Sequence, residues 1–169
     1  MAARVEQTDV LVIGGGTAGF GAAIAAGRQD LRVTLLEATS KIGGVMAFCP
    51  GMPWGGAYPK DEIIGGLIEE LTDRLAEMDP PAAEKRACTL ENFGPEIVYD
   101  HDIATLTMFE MLEEANVSVR LGAIAFEPEM SENVISSCLL YTSPSPRDLN
   151  PNLGFRVRLV KWGGGGGGG

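Results

Sequence analysis

Residues 9–37, DVLVIGGGTAGFGAAIAAGRQDLRVTLLE, decide the fold. Residues 9–13 (DVLVI) form a short, nearly all-apolar run, the pattern of a parallel strand buried on both faces. Gly14, Gly15 and Gly16 break it. Residues 17–28 (TAGFGAAIAAGR) are Ala-rich and predict a helix with small residues on its packing side. Residues 32–36 (RVTLL) predict a second strand that ends at Glu37. Strand, helix and strand within about thirty residues make a βαβ unit. The expected class is α/β, a Rossmann-like FAD/NAD(P)-binding domain on a parallel sheet.

Gly14-x-Gly16-x-x-Gly19 follows the first strand directly and opens the helix. The first glycine permits a tight turn, the second lets a pyrophosphate approach the backbone, and the third lets helix and strand pack closely. A helix N-terminus offers free N–H groups and a partial positive charge to phosphates. Thr17 and Ala18 lie in that first turn. Glu37, 23 residues after Gly14, stands where a carboxylate can accept hydrogen bonds from both ribose hydroxyls of an adenosine. It would repel a 2′-phosphate, which disfavours NADP. Dinucleotide binding is the expectation.

FAD and NAD share this core. Glu37 is followed by Ala38-Thr39-Ser40-Lys41-Ile42 and then Gly43-Gly44. The spacing E-x5-G-G resembles the extended motif of the glutathione-reductase and succinate-dehydrogenase superfamily of FAD-binding proteins. The segments IGGGTAGFGAAIAA, LLEATSKIGGVMA and EIVYDHDIATLTMFEMLEEANVSVRLGA are similar to FAD-dependent oxidoreductases related to fumarate reductase flavoproteins, over most of residues 7–127. The resemblance implies that FAD is the cofactor. It implies that Gly14, Gly16, Thr17, Ala18 and Gly19 cradle phosphate, and that Glu37 holds ribose with Ala38 contributing backbone beside it. Lys41, Gly43 and Gly44 would line the pyrophosphate side, and Ile124 or Ala125 would approach the adenine. One departure is Asp30-Leu31, where the family commonly has a glycine before the second strand. Asp tolerates left-handed geometry, so the turn is expected to survive.

Beyond this unit, residues 38–60 are rich in Gly and Pro and predict a loop. Ile64, Leu67, Leu71 and Leu75 recur at helical spacing, which predicts a helix over 61–78 stopped by Asp79-Pro80-Pro81. Residues 82–97 carry no decisive pattern. Asp100 or Asp102 can cap a helix running to about Ala115, with Ile103, Leu106, Phe109 and Leu112 on its apolar side. Residues 117–121 predict a strand, and residues 123–126 start another.

The chain changes character near Cys138. CLLYTSPSPRD (residues 138–148), LNPNLGFRVRLVKW and seven glycines follow, with no surviving helical or strand period. All eleven residues from Cys138 to Asp148 fit a conceptual translation of a tagmentation sequencing adapter. The terminal glycines resemble GGG codons from a signal-less read. The expected division is therefore 1–137, the N-terminal part of a truncated FAD-binding domain, and 138–169, a non-native, disordered tail. Excluding that tail turns a net charge of −10 into −13.

Acidity of this kind argues against a nucleic-acid partner, which needs clustered Lys and Arg. No apolar run reaches the ~18 residues of a membrane span, and no signal-peptide pattern is present, so a cytoplasmic protein is expected. Cys49, Cys88 and Cys138 form neither a CxxC metal pair nor a disulfide framework. No metal site is expected. Cys49, in the loop after the paired glycines, reads more simply as a small buried side chain than as a redox group. His101, between Asp100 and Asp102, could have its pKa raised as a general acid requires, but reads more simply as a solvated or capping residue. The leading expectation is an FAD-dependent oxidoreductase in which flavin and a small organic substrate exchange hydride. This chain would hold only the ADP-binding part, with the catalytic residues unknown. The alternatives are an NAD-dependent dehydrogenase or NAD-binding module, and a non-catalytic truncated fragment.

Overall fold

The computed structural model describes residues 5–58, 63–88, 94–131, 134–142 and 154–159. Its parallel sheet has the order β2 (Val10–Ile13), β3 (Val33–Glu37), β6 (Val117–Leu121). Val12 faces Leu35 in register, and Leu35 faces Val119. The central strand is buried throughout, with Val33, Thr34, Leu35 and Leu36 all nearly inaccessible, which is why its residues are apolar without alternation. Helix α1 (Thr17–Gly27) joins β2 to β3, and the path from β3 to β6 ends in helix α4 (His101–Glu114).

Two apolar layers enclose this sheet. On one side Val10, Val12, Leu35, Val117 and Val119 pack with α1, α3 (Leu67–Ala76) and α4. On the other, Leu11 and Leu36 meet Ala123, Cys138 and Leu140. These last belong to β7 (Ala123–Ser131) and β8 (Val134–Thr142), antiparallel neighbours; β9 (Gly154–Leu159) follows, antiparallel to β8 and parallel to β1 (Val5–Thr8). Helices α1 and α4 touch through a glycine: a Cβ on Gly27 would lie 2.3 Å from the Ala115 carbonyl oxygen.

The structure departs from the expected elements in several places. Strand β8 continues past Ser137 to Thr142, and Gly154–Leu159 is paired on both sides. Alternation explains the first part: Cys138 and Leu140 are buried while Leu139 between them is only half-buried, a strand period cut short by the Pro-rich segment behind it. The predicted helix over 61–78 forms only from Leu67, because Gly65 and Gly66 take φ values of +80° and +71°; residues 61 and 62 lie outside the described residues. The undecided region holds a hairpin-like pair, β4 (Ala83–Arg86) against β5 (Glu96–Tyr99). On α4 the buried positions are Ala104, Met108, Met111 and Leu112, while Leu106 is largely exposed. Of the predicted face, Leu112 is buried and Ile103 and Phe109 pack partly buried against the core, so only Leu106 departs from it. Thr105 and Thr107 turn inward as well, their hydroxyls donating to the His101 and Ile103 carbonyls (2.7 and 3.0 Å).

Asp100, not Asp102, is the N-cap of α4, accepting from the Asp102 and Ile103 N–H groups. Asp30 does adopt the left-handed conformation, φ +60°. Just beyond it, Arg32 and Asp9 lock the starts of β3 and β2 together. Asp9 accepts from the Arg32 N–H at 2.9 Å and from its guanidinium at 2.7 and 3.0 Å. The Thr8 hydroxyl reaches the Arg32 carbonyl oxygen at 2.7 Å.

The guanidinium and N–H of Arg32 depress the Asp9 carboxyl to about 2 from 3.8. Its contribution to stability is complete above the unfolded value and disappears as pH falls through the folded one. The thermal midpoint of the Asp9→Asn variant should therefore fall less steeply than the parent's between about pH 4 and pH 2. Parallel slopes in scanning calorimetry would refute the lock.

Candidate functional site

The site is built where β2 runs out. Gly14 prolongs the strand ladder, its N–H donating to the Leu36 carbonyl at 2.8 Å, and then turns at φ +101°. Gly16 is the N-cap of α1 and provides no side chain to the helix, whose first turn also lacks an acid. The first-turn N–H groups of Thr17 and Ala18 are thus left for an outside acceptor, and both residues are exposed. A Cβ placed on Gly14 or Gly16 would meet nothing within 4 Å. The space in front of the helix is open, as a phosphate requires.

Gly19 has the opposite environment. A Cβ there would sit 1.8 Å from the Gly14 carbonyl oxygen, so the helix can lie this close to the turn only without a side chain. Gly15, a mere spacer in the sequence motif, carries the most connections. Its N–H donates to Glu37 Oε2 at 2.7 Å, and its carbonyl accepts from the Gly43 N–H at 2.8 Å. It is buried against Ile42 and Glu37, and a Cβ there would come within 3.0 Å of Ile42 Cγ2.

Glu37 closes one side. Its other oxygen accepts from the Thr39 N–H and hydroxyl, at 2.7 and 2.8 Å. Burial opposes its charge, but the hydrogen bonds from Thr39, Gly15 and Ala38 together outweigh burial and hold its carboxyl below the ordinary value. An ionised carboxylate is thus fixed beside the turn, with lone pairs to spare for further donors. Sequence reasoning missed Thr39; a hydroxyl two residues after the acid is the signal that could have found it.

The paired glycines close the other side. Gly43 and Gly44 take φ values of +107° and +53°, and a Cβ on Gly44 would approach Gly16 Cα at 3.1 Å. They start a one-turn helix, α2 (Val45–Phe48), inside the stretch expected to be loop. Lys41 directs its ammonium to Asp102 Oδ1 at 3.4 Å and over the Phe48 ring at 5.1 Å. An apolar cavity of about 400 Å³ adjoins the helix start, lined by Thr17, Phe20, Met46, Trp54, Leu67 and Leu71 among others.

The structure thus brings Gly14, Gly16, Thr17, Ala18, Glu37, Gly43 and Gly44 together around the turn, with Gly19 packed behind it on the Gly14 carbonyl, the Ala38 N–H turned to Glu37 and the Lys41 ammonium turned to Asp102. Cys49 is exposed at the end of α2, in place of the buried side chain expected there. His101 opens α4, edge-on to Tyr99 with ring centroids 6.2 Å apart. Both stand outside the group of residues that bounds the open space. Ile124 is exposed on β7. Among the described residues no cluster of three His, Cys, Asp or Glu could hold a metal, and no helix is long and apolar enough to cross a membrane.

Two glycines of α1 separate packing from propensity. Gly19→Ala should destabilise the chain by about 1–3 kcal/mol through overpacking. Gly21→Ala, whose Cβ would meet only Leu67 at 3.9 Å, should stabilise it by about 0.5–1 kcal/mol. Urea unfolding of both variants checks this, and equal effects would contradict the close approach.

The sequence model of a family described as FAD dependent oxidoreductase matches residues 9–149. A ferredoxin–NADP reductase from Bacillus pumilus is 33% identical over 119 residues, 69% of this chain and 29% of the relative. Another, from Cupriavidus pinatubonensis, is 31% identical over 136 residues, 76% of this chain and 37% of the relative. The chain therefore spans about a third of the length of these relatives. Among solved structures, a geranylgeranyl bacteriochlorophyll reductase-like protein of Thermoplasma acidophilum aligns with a TM-score of 0.57 at 16% identity, covering 92% of this chain and 38% of that one. THI4 of Thermovibrio ammonificans aligns with a TM-score of 0.53 at 19% identity, covering 79% and 47%. At such identities the structural likeness speaks to fold, while the family match covers most of the chain. The chain belongs to the FAD-dependent oxidoreductase family.

Proposed function

We propose that this chain is the ADP-binding, N-terminal part of an FAD-dependent oxidoreductase acting on a small organic molecule in the cytoplasm. One observation carries the reading. An uncapped helix start faces open space at Gly14 and Gly16, with an ionised Glu37 on one side and Gly43-Gly44 on the other. A dinucleotide needs these features together: N–H groups for the pyrophosphate, room for close approach, and a carboxylate for ribose hydroxyls.

In this reading the N–H groups of Gly16, Thr17, Ala18 and Gly19 receive the pyrophosphate. Glu37 accepts from the ribose hydroxyls, helped by the Ala38 backbone. Lys41, Gly43 and Gly44 line the pyrophosphate side. FAD, when bound, supplies hydride chemistry at its flavin ring. The residues present bind and orient; the groups that handle protons and substrate belong to the remainder of the parent protein. Residues 138–169 are a non-native tail, and the strands formed there stand in for parent sequence. The nucleotide read behind Cys138 tests this, since genuine coding sequence continuing into a substrate domain would overturn it.

Titration calorimetry tests the binding reading on the chain as it stands. ADP should bind, FAD should bind little more tightly, and NADH should show no preference over ADP. Gly16→Ala keeps an allowed backbone at φ −70°, so it should retain the parent's thermal midpoint and lose ADP binding. Glu37→Gln should weaken ADP roughly tenfold, the worth of a hydrogen bond to a charged group. Absence of ADP binding by the parent chain, or unchanged affinity in Gly16→Ala, would sink the reading. For the parent enzyme, flavin absorbance should survive desalting; a colourless protein that binds NADH would favour a nicotinamide enzyme.

A further inference from the structure

The paired-glycine segment is held by residues far away in sequence. Helix α2 has a single turn, and an isolated turn of helix is unstable in water. Its last carbonyls have no partner within the helix. The Met46 carbonyl instead accepts from the Tyr99 hydroxyl at 3.2 Å, across 53 residues of sequence. From the same helix start, Asp102 reaches Lys41, across 61 residues. These two tethers flank Gly43 and Gly44. The N–H groups of Met46 and Ala47 in turn bond back to the Gly43 and Gly44 carbonyls at 3.1 and 3.0 Å. Movement of α2 is therefore movement of the glycines.

Tyr99 is itself fixed independently of its hydroxyl. It ends β5 and is 9% exposed. Its ring stacks on Trp54 with centroids 4.2 Å apart and a 31° tilt. Trp54 is pinned to the neighbouring strand position by paired backbone hydrogen bonds with Ile97, at 2.9 and 3.2 Å. Burial raises the phenol above its ordinary value, so at neutral pH the group is a donor.

We propose that Tyr99 is a positioning residue for the dinucleotide cradle: its hydroxyl, through the Met46 carbonyl, holds α2 so that Gly43 and Gly44 stay against Gly16, and thereby sets the affinity for the pyrophosphate without touching it. The inference rests on the dinucleotide reading above. It assigns the exposed Lys41–Asp102 pair the lesser share, since an exposed ion pair is weak and screened by salt.

The full chain and its Tyr99→Phe variant test it, because Phe keeps the ring between Trp54 and His101. Adenosine, which has no pyrophosphate, and ADP are titrated separately. The expected result is ADP binding about fivefold weaker in Tyr99→Phe, the effect of one hydrogen bond, with adenosine binding unchanged. Amide hydrogen exchange at Gly43 should accelerate while that of Leu35 and Leu36 should not. Asp102→Asn should change ADP affinity by less than about twofold. An unchanged ADP affinity in Tyr99→Phe, a parallel loss of ADP and adenosine, or unchanged exchange at Gly43 would overturn the proposal. A wild-type chain that binds neither probe would instead defeat the dinucleotide reading, and this inference with it.

Discussion

The closeness of α1 to the turn that follows β2 is the constraint on which the site depends. The helix starts beside Gly14 because Gly19 brings no Cβ to the Gly14 carbonyl. That approach aims the first-turn N–H groups across the C-terminal edge of the parallel sheet. It also leaves the turn compact enough for Gly15 to be shared. Through one peptide group on each side, Gly15 ties Glu37 of β3 and Gly43 of the following loop to the same point. Three segments remote in sequence thus converge within hydrogen-bonding distance, and the open volume between them is what remains.

The rest of the molecule holds this arrangement from two sides. The helical layer packs on Val10, Val12 and Leu35, while the antiparallel strands pack on Leu11 and Leu36. Neighbouring residues of β3 therefore serve opposite cores, and the strand that delivers Glu37 cannot slip without exposing both. The Asp9–Arg32 pair and the Thr8 hydroxyl secure the opposite end of the same strands. Ion pairs join α1, α3 and α4 on the surface, with Arg74 bridging Glu70 and Glu114. They lie at the surface, half-buried to exposed, and contribute little beside the apolar layers.

The βαβ unit was legible because each of its signals is local. An apolar run, glycines at fixed offsets and an acid at a strand end require no knowledge of distant residues. The spacing Glu37-x5-Gly43-Gly44 was legible for the same reason. The buried face of α4 was legible in part. Periodicity marked Ile103, Phe109 and Leu112, which pack on the core, and Leu106, which is exposed, and it did not mark Ala104 and Met108, which the helix also turns inward. The strand character of residues 134–142 was hidden by the Pro-rich sequence beyond it, although Cys138 and Leu140 alternate as a strand should.

By itself, the sequence determined the class of fold, the glycine cradle at the start of α1 and the acid beside it, since backbone conformations that only glycine adopts cheaply leave a mark at single positions. Tertiary structure alone decided which groups hold that cradle in shape. Gly15 as a junction, Thr39 beneath Glu37 and Tyr99 behind Met46 are hydrogen-bond partners chosen by three-dimensional proximity. Two of these links span 22 and 53 residues of chain. No period or spacing records such a partnership, because a hydrogen bond depends on a few ångströms of space, and sequence separation carries none of that information.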